Sequence, residues 1–314
     1  MSTSAAVPEP FFSIIVPVWN RATTIHRCLD SIFSQTFQDY EVVAVDDGST
    51  DDSVALMQQV GDPRLRVVRH ETNLGKNAAR RTAVGNARGL WIMQLDSDDA
   101  LLPGALETVA RLARDAADDV GVVGMSFKYH EGGRTPDPPY PPGDVGFEQW
   151  LEWLDGSRGT DFLICRRREV CDDVLVPSDG RGSAQMMLRT AAKWKFRVSP
   201  EFGAIVYSDA DNRLCAKKAE LLSAQSKLMH AIMCEEILQE FGPALRQHAP
   251  RHYRNLLFSA GRWFLLAGQR GRGAKWMWRH LTSRPWSFRG WVTLVLGLIG
   301  PGAILGARRL LGKG

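Results

Sequence analysis

The sequence predicts an α/β protein in which a mostly parallel sheet is flanked by helices and followed by a C-terminal helical extension. Three observations lead to this prediction. Short, β-branched apolar runs alternate with amphipathic segments over the first 125 residues, acidic clusters directly follow two of these runs, and acidic residues disappear after residue 240. At 314 residues the chain is long enough for one large domain with appendages.

Four strands are predicted in the first part of the chain because each is a short apolar run: 11–19, 40–47, 64–70 and 90–96. Residues 21–36 place apolar side chains on one helical face, and a further helix is expected over 77–89. Ser49 or Thr50 is expected to cap the helix that follows the second strand. The alternation indicates βαβ units, whose ligands bind beyond the carboxyl ends of the strands.

The second part of the chain is less regular. Five prolines within residues 131–144 predict a loop that separates two halves. After it, helices are expected over 147–154 and 184–194, and a helical hairpin over 250–283.

Carboxylates cluster at two predicted strand ends, as Asp46-Asp47 and as Asp96, Asp98 and Asp99. Clustered like charges raise one another's pKa unless a cation neutralises them. Mg²⁺ or Mn²⁺, which prefers oxygen ligands, is the expected cation. An Asp-x-Asp pair at a strand end is suited to holding a nucleotide diphosphate through such a metal ion.

Four sequence blocks, in the order "VPVWN", "SQTFQDYEVVAVDDGSTD", "NLGKNAAR" and "LDSDD", resemble family 2 glycosyltransferases with the Rossmann-like GT-A fold. The match runs from Ser13 to about Leu106. It implies an inverting, metal-dependent enzyme that moves a single sugar from a nucleotide-sugar donor to a hydroxyl acceptor. It also implies a nucleotide-sugar-binding half over 1–125 and an acceptor-binding half over 126–215, which leaves 216–314 as the helical extension.

The resemblance implies donor-binding roles for four residues of the first two blocks. Pro17 and Trp19 sit where the family lines the nucleobase pocket, with Asn20 beside them, and Asp47 matches the acid that hydrogen-bonds the base. Two alternatives stay open on the sequence alone. Trp19 is a core aromatic in one of them, and Asp47 is a helix cap in the other.

The last two blocks carry the remaining donor-site residues. By the resemblance, Arg80 is a basic residue near the nucleotide, Asp96 lies near the ribose, and Asp98 is the direct metal ligand. The alternative for Arg80 is a solvated position on the helix surface.

The catalytic base departs from the family pattern. An inverting transfer needs a group that takes the proton of the acceptor hydroxyl. The resemblance implies an Asp, often within a Glu-Asp pair, at the start of the helix predicted at 184–194, but this chain has Gly182 and Ser183 there. Asp179 is the predicted base, and the alternatives are Asp161, Asp172 and Asp173. A protein that binds nucleotide-sugars without turnover is the alternative function.

The C-terminal extension is basic and rich in tryptophan. From Phe241 onward the sequence has 13 Lys and Arg, no Asp or Glu, and five of the ten tryptophans. Trp and Arg together favour peripheral contact with a membrane surface over nucleic acid, and therefore a saccharide or lipid-linked saccharide acceptor. A packed basic cap or a dimer contact is the alternative. Five irregularly spaced cysteines indicate reduced thiols, so we expect a cytoplasmic protein at the inner face of the membrane.

Overall fold

A computed structural model of the protein describes residues 9–173, 183–209 and 223–304. The chain forms two compact units. The first unit comprises residues 1–150 and 156–211, and the second comprises residues 151–155 and 212–314.

The first unit is built on a single mixed sheet. Nine strands are found in the described residues, in the spatial order β3-β2-β1-β4-β8-β6-β9-β5, with β7 paired to β6. Their bounds are β1 Phe12–Val18, β2 Tyr40–Asp46, β3 Leu65–Arg69, β4 Trp91–Gln94, β5 Ala100–Leu101, β6 Val120–Tyr129, β7 Arg134–Thr135, β8 Leu163–Arg167 and β9 Lys195–Val206.

The helices of the first unit cover both faces of the sheet, as predicted. Alternate residues of β1 point to opposite faces, so Ile14 packs in a cluster with α1 and α4, whereas Ile15 packs against Ala79 and Ala83 of α3. These helices are α1 Ile25–Phe33, α2 Ser53–Gln59, α3 Lys76–Asn86, α4 Ala105–Arg114, α5 Phe147–Gly156, α6 Arg168–Asp173 and α7 Ser183–Lys193. Residues 151–155 of α5 belong to the second unit. The predicted α/β class is therefore confirmed.

Two local predictions differ from the structure. Helix α2 begins at Ser53, not directly after Ser49 or Thr50, and its N-cap residue Asp52 makes no side-chain capping hydrogen bond. The Ser49 hydroxyl instead accepts a hydrogen bond from the backbone of Asn20. Strand β8 was not predicted, because its charged residues Arg166 and Arg167 interrupt the apolar run.

The second unit is helical over its described residues. Its helices are α8 Ala224–His248, α9 Pro250–Leu266, α10 Arg270–Ser283 and α11 Phe288–Ile299. The predicted hairpin over 250–283 corresponds to α9 and α10, which pack together around Phe264 and Trp276. Across the described residues, every helix is too short or too polar to cross a lipid bilayer.

Candidate functional site

The carboxyl ends of three parallel strands meet at one edge of the sheet. Val18 of β1 is paired with Asp46 of β2, and Ile15 of β1 is paired with Gln94 of β4. The loops that follow these strands therefore lie side by side. Seven of the eight site residues predicted from the sequence lie in these loops or beside them; the eighth, Asp179, is outside the described residues.

Asp47 organises the loop that leads into α3. It is 2% exposed, and its carboxylate accepts hydrogen bonds from the backbone N–H groups of Leu74 at 2.9 Å and Gly75 at 2.8 Å. His70 Nδ1 lies 2.8 Å from the same carboxylate. The structure thus gives Asp47 a structural role at the edge, distinct from the helix cap considered as the alternative.

Close backbone contact explains the glycine that follows Asp47. Gly48 has a φ of +68°, and a Cβ built there would lie 2.6 Å from the backbone carbon of Thr72. Only glycine accepts both conditions without a shift of the loop.

Asn20 joins the loops after β1 and β2. Its φ is +51°, a left-handed conformation that asparagine tolerates better than most residues. Its side-chain oxygen accepts a hydrogen bond from the Thr50 N–H at 2.9 Å, and its own N–H donates to Ser49 Oγ at 2.9 Å.

Of the predicted nucleobase residues, Pro17 is buried within β1, whereas Trp19 is half-buried just past its end. Trp19 is therefore not one of the buried core aromatics.

Asp96 has two cationic partners on α3. Lys76 Nζ lies 2.6 Å from one carboxylate oxygen, and Arg80 Nη2 lies 3.4 Å from the other. Lys76 and Arg80 are one helical turn apart and so share a face of the helix. Burial opposes ionisation of Asp96, but the two cations outweigh it and hold the pKa of this carboxyl below its usual value. The structure therefore brings two predicted residues, Asp96 and Arg80, into contact.

Asp98 and Asp99 complete a cluster with Asp96. Oxygen atoms of the three carboxylates lie within 4.8 Å of one another. Arg21 Nη2 lies 3.9 Å from the Asp98 carboxylate. Asp99 is 6% exposed, and burial together with the charges of Asp96 and Asp98 raises its pKa to about 8. A protonated Asp99 adds no negative charge to the cluster near neutral pH.

The donor set suits a hard divalent cation. Carboxylate oxygens are the ligands that Mg²⁺ and Mn²⁺ prefer, and such ions commonly bind through one or two carboxylates. Because Asp96 is engaged by Lys76 and Arg80, Asp98 is the carboxylate best able to hold the ion.

The backbone around Asp98 is held from the side of α1. Thr24 Oγ1 donates to the carbonyl of Ser97 at 3.1 Å, and Arg27 Nη2 donates to the carbonyl of Asp98 at 2.7 Å. Arg27 also forms a two-pronged ion pair with Asp209, at 2.7 and 2.9 Å. This pairing raises the pKa of the Arg27 guanidinium.

The segment after β9 contacts the same loop. The Tyr207 N–H donates to Asp99 at 3.3 Å, and the Tyr207 ring lies under the Arg27 guanidinium, with 3.7 Å between the guanidinium carbon and the ring centroid. The acidic loop is thus held both by Arg27, near the start of the first unit, and by Tyr207, near its end.

Of the candidates for the catalytic base, only Asp161 has a side chain within the described part of the chain. Asp179, the predicted base, is outside the described residues, as is Gly182, and the side chains of Asp172, Asp173 and Ser183 are not described either. Asp161 is described. It lies two residues before the start of β8, which runs antiparallel to β4, so it lies at the same edge as the acidic loop. Asp161 is exposed at the surface, yet partial desolvation and the charge of Asp96 raise the pKa of its carboxyl.

Sequence reasoning missed three residues of the site: Lys76, Arg21 and Arg27. A signal was available for Lys76, because it precedes Arg80 by one helical turn within the block "NLGKNAAR". The contacts of Arg21 and Arg27 cross between loops that are distant in sequence, so spacing could not reveal them.

A protein-family model matches a continuous part of the chain. The model described as Glycosyl transferase family 2 matches residues 13–173, which is half of the chain. Among curated relatives, the succinoglycan biosynthesis protein ExoO of Rhizobium meliloti is 36% identical over 136 residues, which cover 41% of this chain and 39% of that protein. A chondroitin synthase of Escherichia coli is 44% identical over 100 residues, 31% of this chain and 14% of that protein. The chain thus spans less than half the length of these relatives.

Solved structures resemble a larger part of the chain. TarS 1-349 of S. aureus in complex with UDP has a TM-score of 0.63 and 22% identity, covering 87% of this chain and 81% of that one. The mannosyltransferase PcManGT of Pyrobaculum calidifontis, in complex with GDP-Man and Mn²⁺, has a TM-score of 0.56 and 19% identity, covering 98% and 89%. At these identities the likeness shows the fold, and the predicted GT-A fold is confirmed.

Proposed function

We propose sugar transfer from a nucleotide-sugar to a hydroxyl acceptor as the reaction of this protein, which belongs to glycosyl transferase family 2. The transfer adds a single sugar, inverts the anomeric carbon and depends on Mn²⁺ or Mg²⁺. The observation that carries the proposal is the meeting of Asp96, Asp98 and Asp99 with Lys76 and Arg80 at one edge of the sheet.

Charge at this edge is arranged for a diphosphate. Asp98 would hold the divalent ion, which when bound neutralises the charge that develops on the departing nucleoside diphosphate. Lys76 and Arg80 hold Asp96 ionised and in place, where it would contact the ribose. Two structural neighbours support this assignment, because one was solved with UDP and the other with GDP-Man and Mn²⁺.

Loops after β1 and β2 would form the nucleobase pocket. Trp19 is half-buried, so one part of its ring is available to stack on a base. Asn20 would shape this pocket by fixing the loop around Thr50, and Pro17 by closing the end of β1. Asp47 holds the 74–75 backbone, and we retain it as the residue that contacts the base edge.

Asp179 remains the proposed catalytic base, since an inverting transfer needs a carboxylate to take the acceptor proton and Gly182 and Ser183 cannot do so. Asp161 is the competing residue. The charge of Asp96 acts on it, and a raised pKa suits a group that must accept a proton near neutral pH.

We place the acceptor on a lipid-linked saccharide at the cytoplasmic face of a membrane, within the assembly of a surface polysaccharide or glycolipid. Two findings support this. The part after residue 240 has 13 basic and no acidic residues, and a succinoglycan biosynthesis protein is among the relatives.

The test is release of nucleoside diphosphate from a panel of nucleotide-sugars, measured with Mn²⁺, with Mg²⁺ and with EDTA. We expect slow, metal-dependent hydrolysis of one donor class even without an acceptor. Thermal shifts with the same panel report binding separately, because a ligand stabilises the fold it binds. Binding without hydrolysis, and without transfer to any hydroxyl acceptor, would favour the non-catalytic nucleotide-sugar-binding protein.

A further inference from the structure

Exposed apolar side chains are concentrated in one part of the second unit. Ten large hydrophobic residues are exposed in the described residues, and seven of them lie between positions 278 and 299. These seven form what we call the α11 face: Trp278, Trp286, Phe288, Trp291, Val295, Leu298 and Ile299. Exposed apolar residues are ordinary when scattered, but a contiguous group of this size marks an interaction surface.

The exposed and buried sides of α11 are clearly separated. The buried side comprises Gly290, Thr293, Leu294 and Gly297, and it packs closely enough that a Cβ on Gly297 would lie 2.6 Å from the Leu265 side chain. The exposed side comprises residues 288, 291, 295, 298 and 299, whose spacing of three or four residues places them on one helical face. A helix that is apolar on both sides has a partner on both sides, and the described residues supply only one.

Two contacts join the rest of the α11 face to the helix. The indole N–H of Trp291 donates to the carbonyl of Pro285 at 2.9 Å, which holds the turn bearing Trp286 against the start of the helix. The rings of Trp278 and Trp291 meet edge to face, with centroids 6.2 Å apart. The surface therefore extends from α10 across the turn and along α11, with Trp286 94% exposed and Phe288 81% exposed.

Exposed arginines lie near both ends of this surface. Arg284 and Arg289 are exposed at the start of α11, and the exposed Arg270 donates to the carbonyl of Ile299 at 3.0 Å at its end. Arg279, next to Trp278 in the sequence, is exposed as well and lies over the Trp276 ring. No acidic residue occurs in the sequence from Phe241 to the C-terminus. An apolar helical face bordered by cations is the pattern of helices that lie in the plane of a membrane interface.

We propose that the α11 face docks onto the surface of an anionic lipid bilayer, with α11 in the plane of the interface and its bordering arginines at the headgroups. Charge decides between this occupant and a second copy of the chain. Two copies that paired through this face would bring like-charged arginine borders together, whereas anionic headgroups complement them. The inference names the surface for the membrane contact suggested above, and it stands on the second unit alone.

The test uses the full-length chain and vesicles of phosphatidylcholine, alone or mixed equally with phosphatidylglycerol. We expect the wild type to sediment with the mixed vesicles only, and salt to release part of it, because apolar burial is not screened. The variant W286S/F288S/I299S changes three of the most exposed side chains, so folding should be intact. Its partition onto mixed vesicles should fall by about tenfold or more.

The matched control is L90S/F202S, which removes exposed apolar residues from the first unit and should bind vesicles like the wild type. Equal vesicle binding by W286S/F288S/I299S and the wild type would overturn the proposal. So would a wild type that binds neither kind of vesicle. A wild-type dimer that this variant converts to monomer, without vesicle binding, would assign the face to a second copy. Nucleoside diphosphate binding in Mn²⁺ is measured on every variant, so that a failure of the donor site is seen separately.

Discussion

The edge of the sheet in the first unit and the α11 face in the second unit differ in how their side chains are held. At the edge, Asp47, Asp96 and the loop of Asp98 are each held by specific partners at 2.6–3.4 Å. On the α11 face, the side chains are apolar and exposed, and α11 packs against the rest of its unit through its buried side. A site that is fixed in advance binds a small charged ligand with little further ordering. A broad apolar surface with a cationic border suits a fluid partner that has no fixed shape.

The largest expected effect is on nucleotide binding at the edge of the sheet, and it follows from replacing one carboxylate oxygen of Asp98. Asp98→Asn should weaken nucleoside diphosphate binding in Mn²⁺ roughly 100-fold or more, because even the outer partners of metal ligands typically contribute 10–100-fold. Isothermal titration with and without Mn²⁺ measures it, and vesicle binding should stay at the wild-type level. Wild-type affinity in the variant would show that Asp98 is not the metal ligand.

The next effect concerns turnover. Asp179→Asn should lower the transfer rate by about 10² while leaving donor binding intact, which is the usual scale for losing a general base. Asp161→Asn is the matched variant, since it removes the other carboxylate proposed near the acceptor. If Asp161→Asn carries the loss and Asp179→Asn does not, the role of base moves to Asp161.

Loss of the contacts made by Arg27 should have a smaller effect. Arg27→Gln removes the ion pair with Asp209 and the hydrogen bond to the Asp98 carbonyl, so the acidic loop becomes less well positioned. We expect metal-dependent nucleotide affinity to fall by about tenfold, with the melting temperature nearly unchanged in EDTA. Arg111→Gln, an exposed cation on α4, is the control. An equal loss in both variants would mean that net charge, and not loop position, matters.

Much of the first unit could be predicted from the sequence because its signals are local. The apolar runs of β1 and β2 are buried at every position, so composition alone reveals them. The membership of the chain in glycosyl transferase family 2, predicted from four blocks, is confirmed by the match over residues 13–173. Asp96 and Asp98 are predicted as site residues because they follow a buried strand, and the structure places them in one acidic cluster.

The rest could not be predicted because it depends on contacts between distant segments. Asp96 meets Lys76 across the site, and Arg27 meets Asp209 across 182 positions of sequence. The divalent ion was proposed as the positive partner of the acidic cluster, yet the structure gives Asp96 two protein cations as well. In the second unit, periodicity predicted the hairpin of α9 and α10, but the buried side of α11 was hidden, because both sides of that helix are apolar.

The smallest expected effect is an opposite response of the two units to mild acid. Burial lowers the pKa of His252 and of His280 in the second unit, so the folded state resists protonation that the unfolded chain accepts below about pH 6.5. Their stabilising contribution is complete above that pH and is lost as the pH falls. Asp99 in the first unit has the reverse sign. Its pKa is raised to about 8, so its unfavourable ionisation is relieved as the pH falls from about 8 towards 4.

Hydrogen exchange in EDTA, followed peptide by peptide, measures this difference. Between about pH 8 and pH 5, after correction for the intrinsic exchange rate, protection of β1 and β4 should rise while protection of α10 and α11 falls. His280 is central to the second change, because it lies 3.1 Å from both the Arg254 carbonyl and the Ser287 hydroxyl that caps α11. Asp99→Asn should reduce the gain in the first unit, where the raised pKa of Asp161 acts in the same direction, without altering the loss in the second. A parallel change in both units would contradict this account, because it would require one set of titrating groups to govern the whole chain.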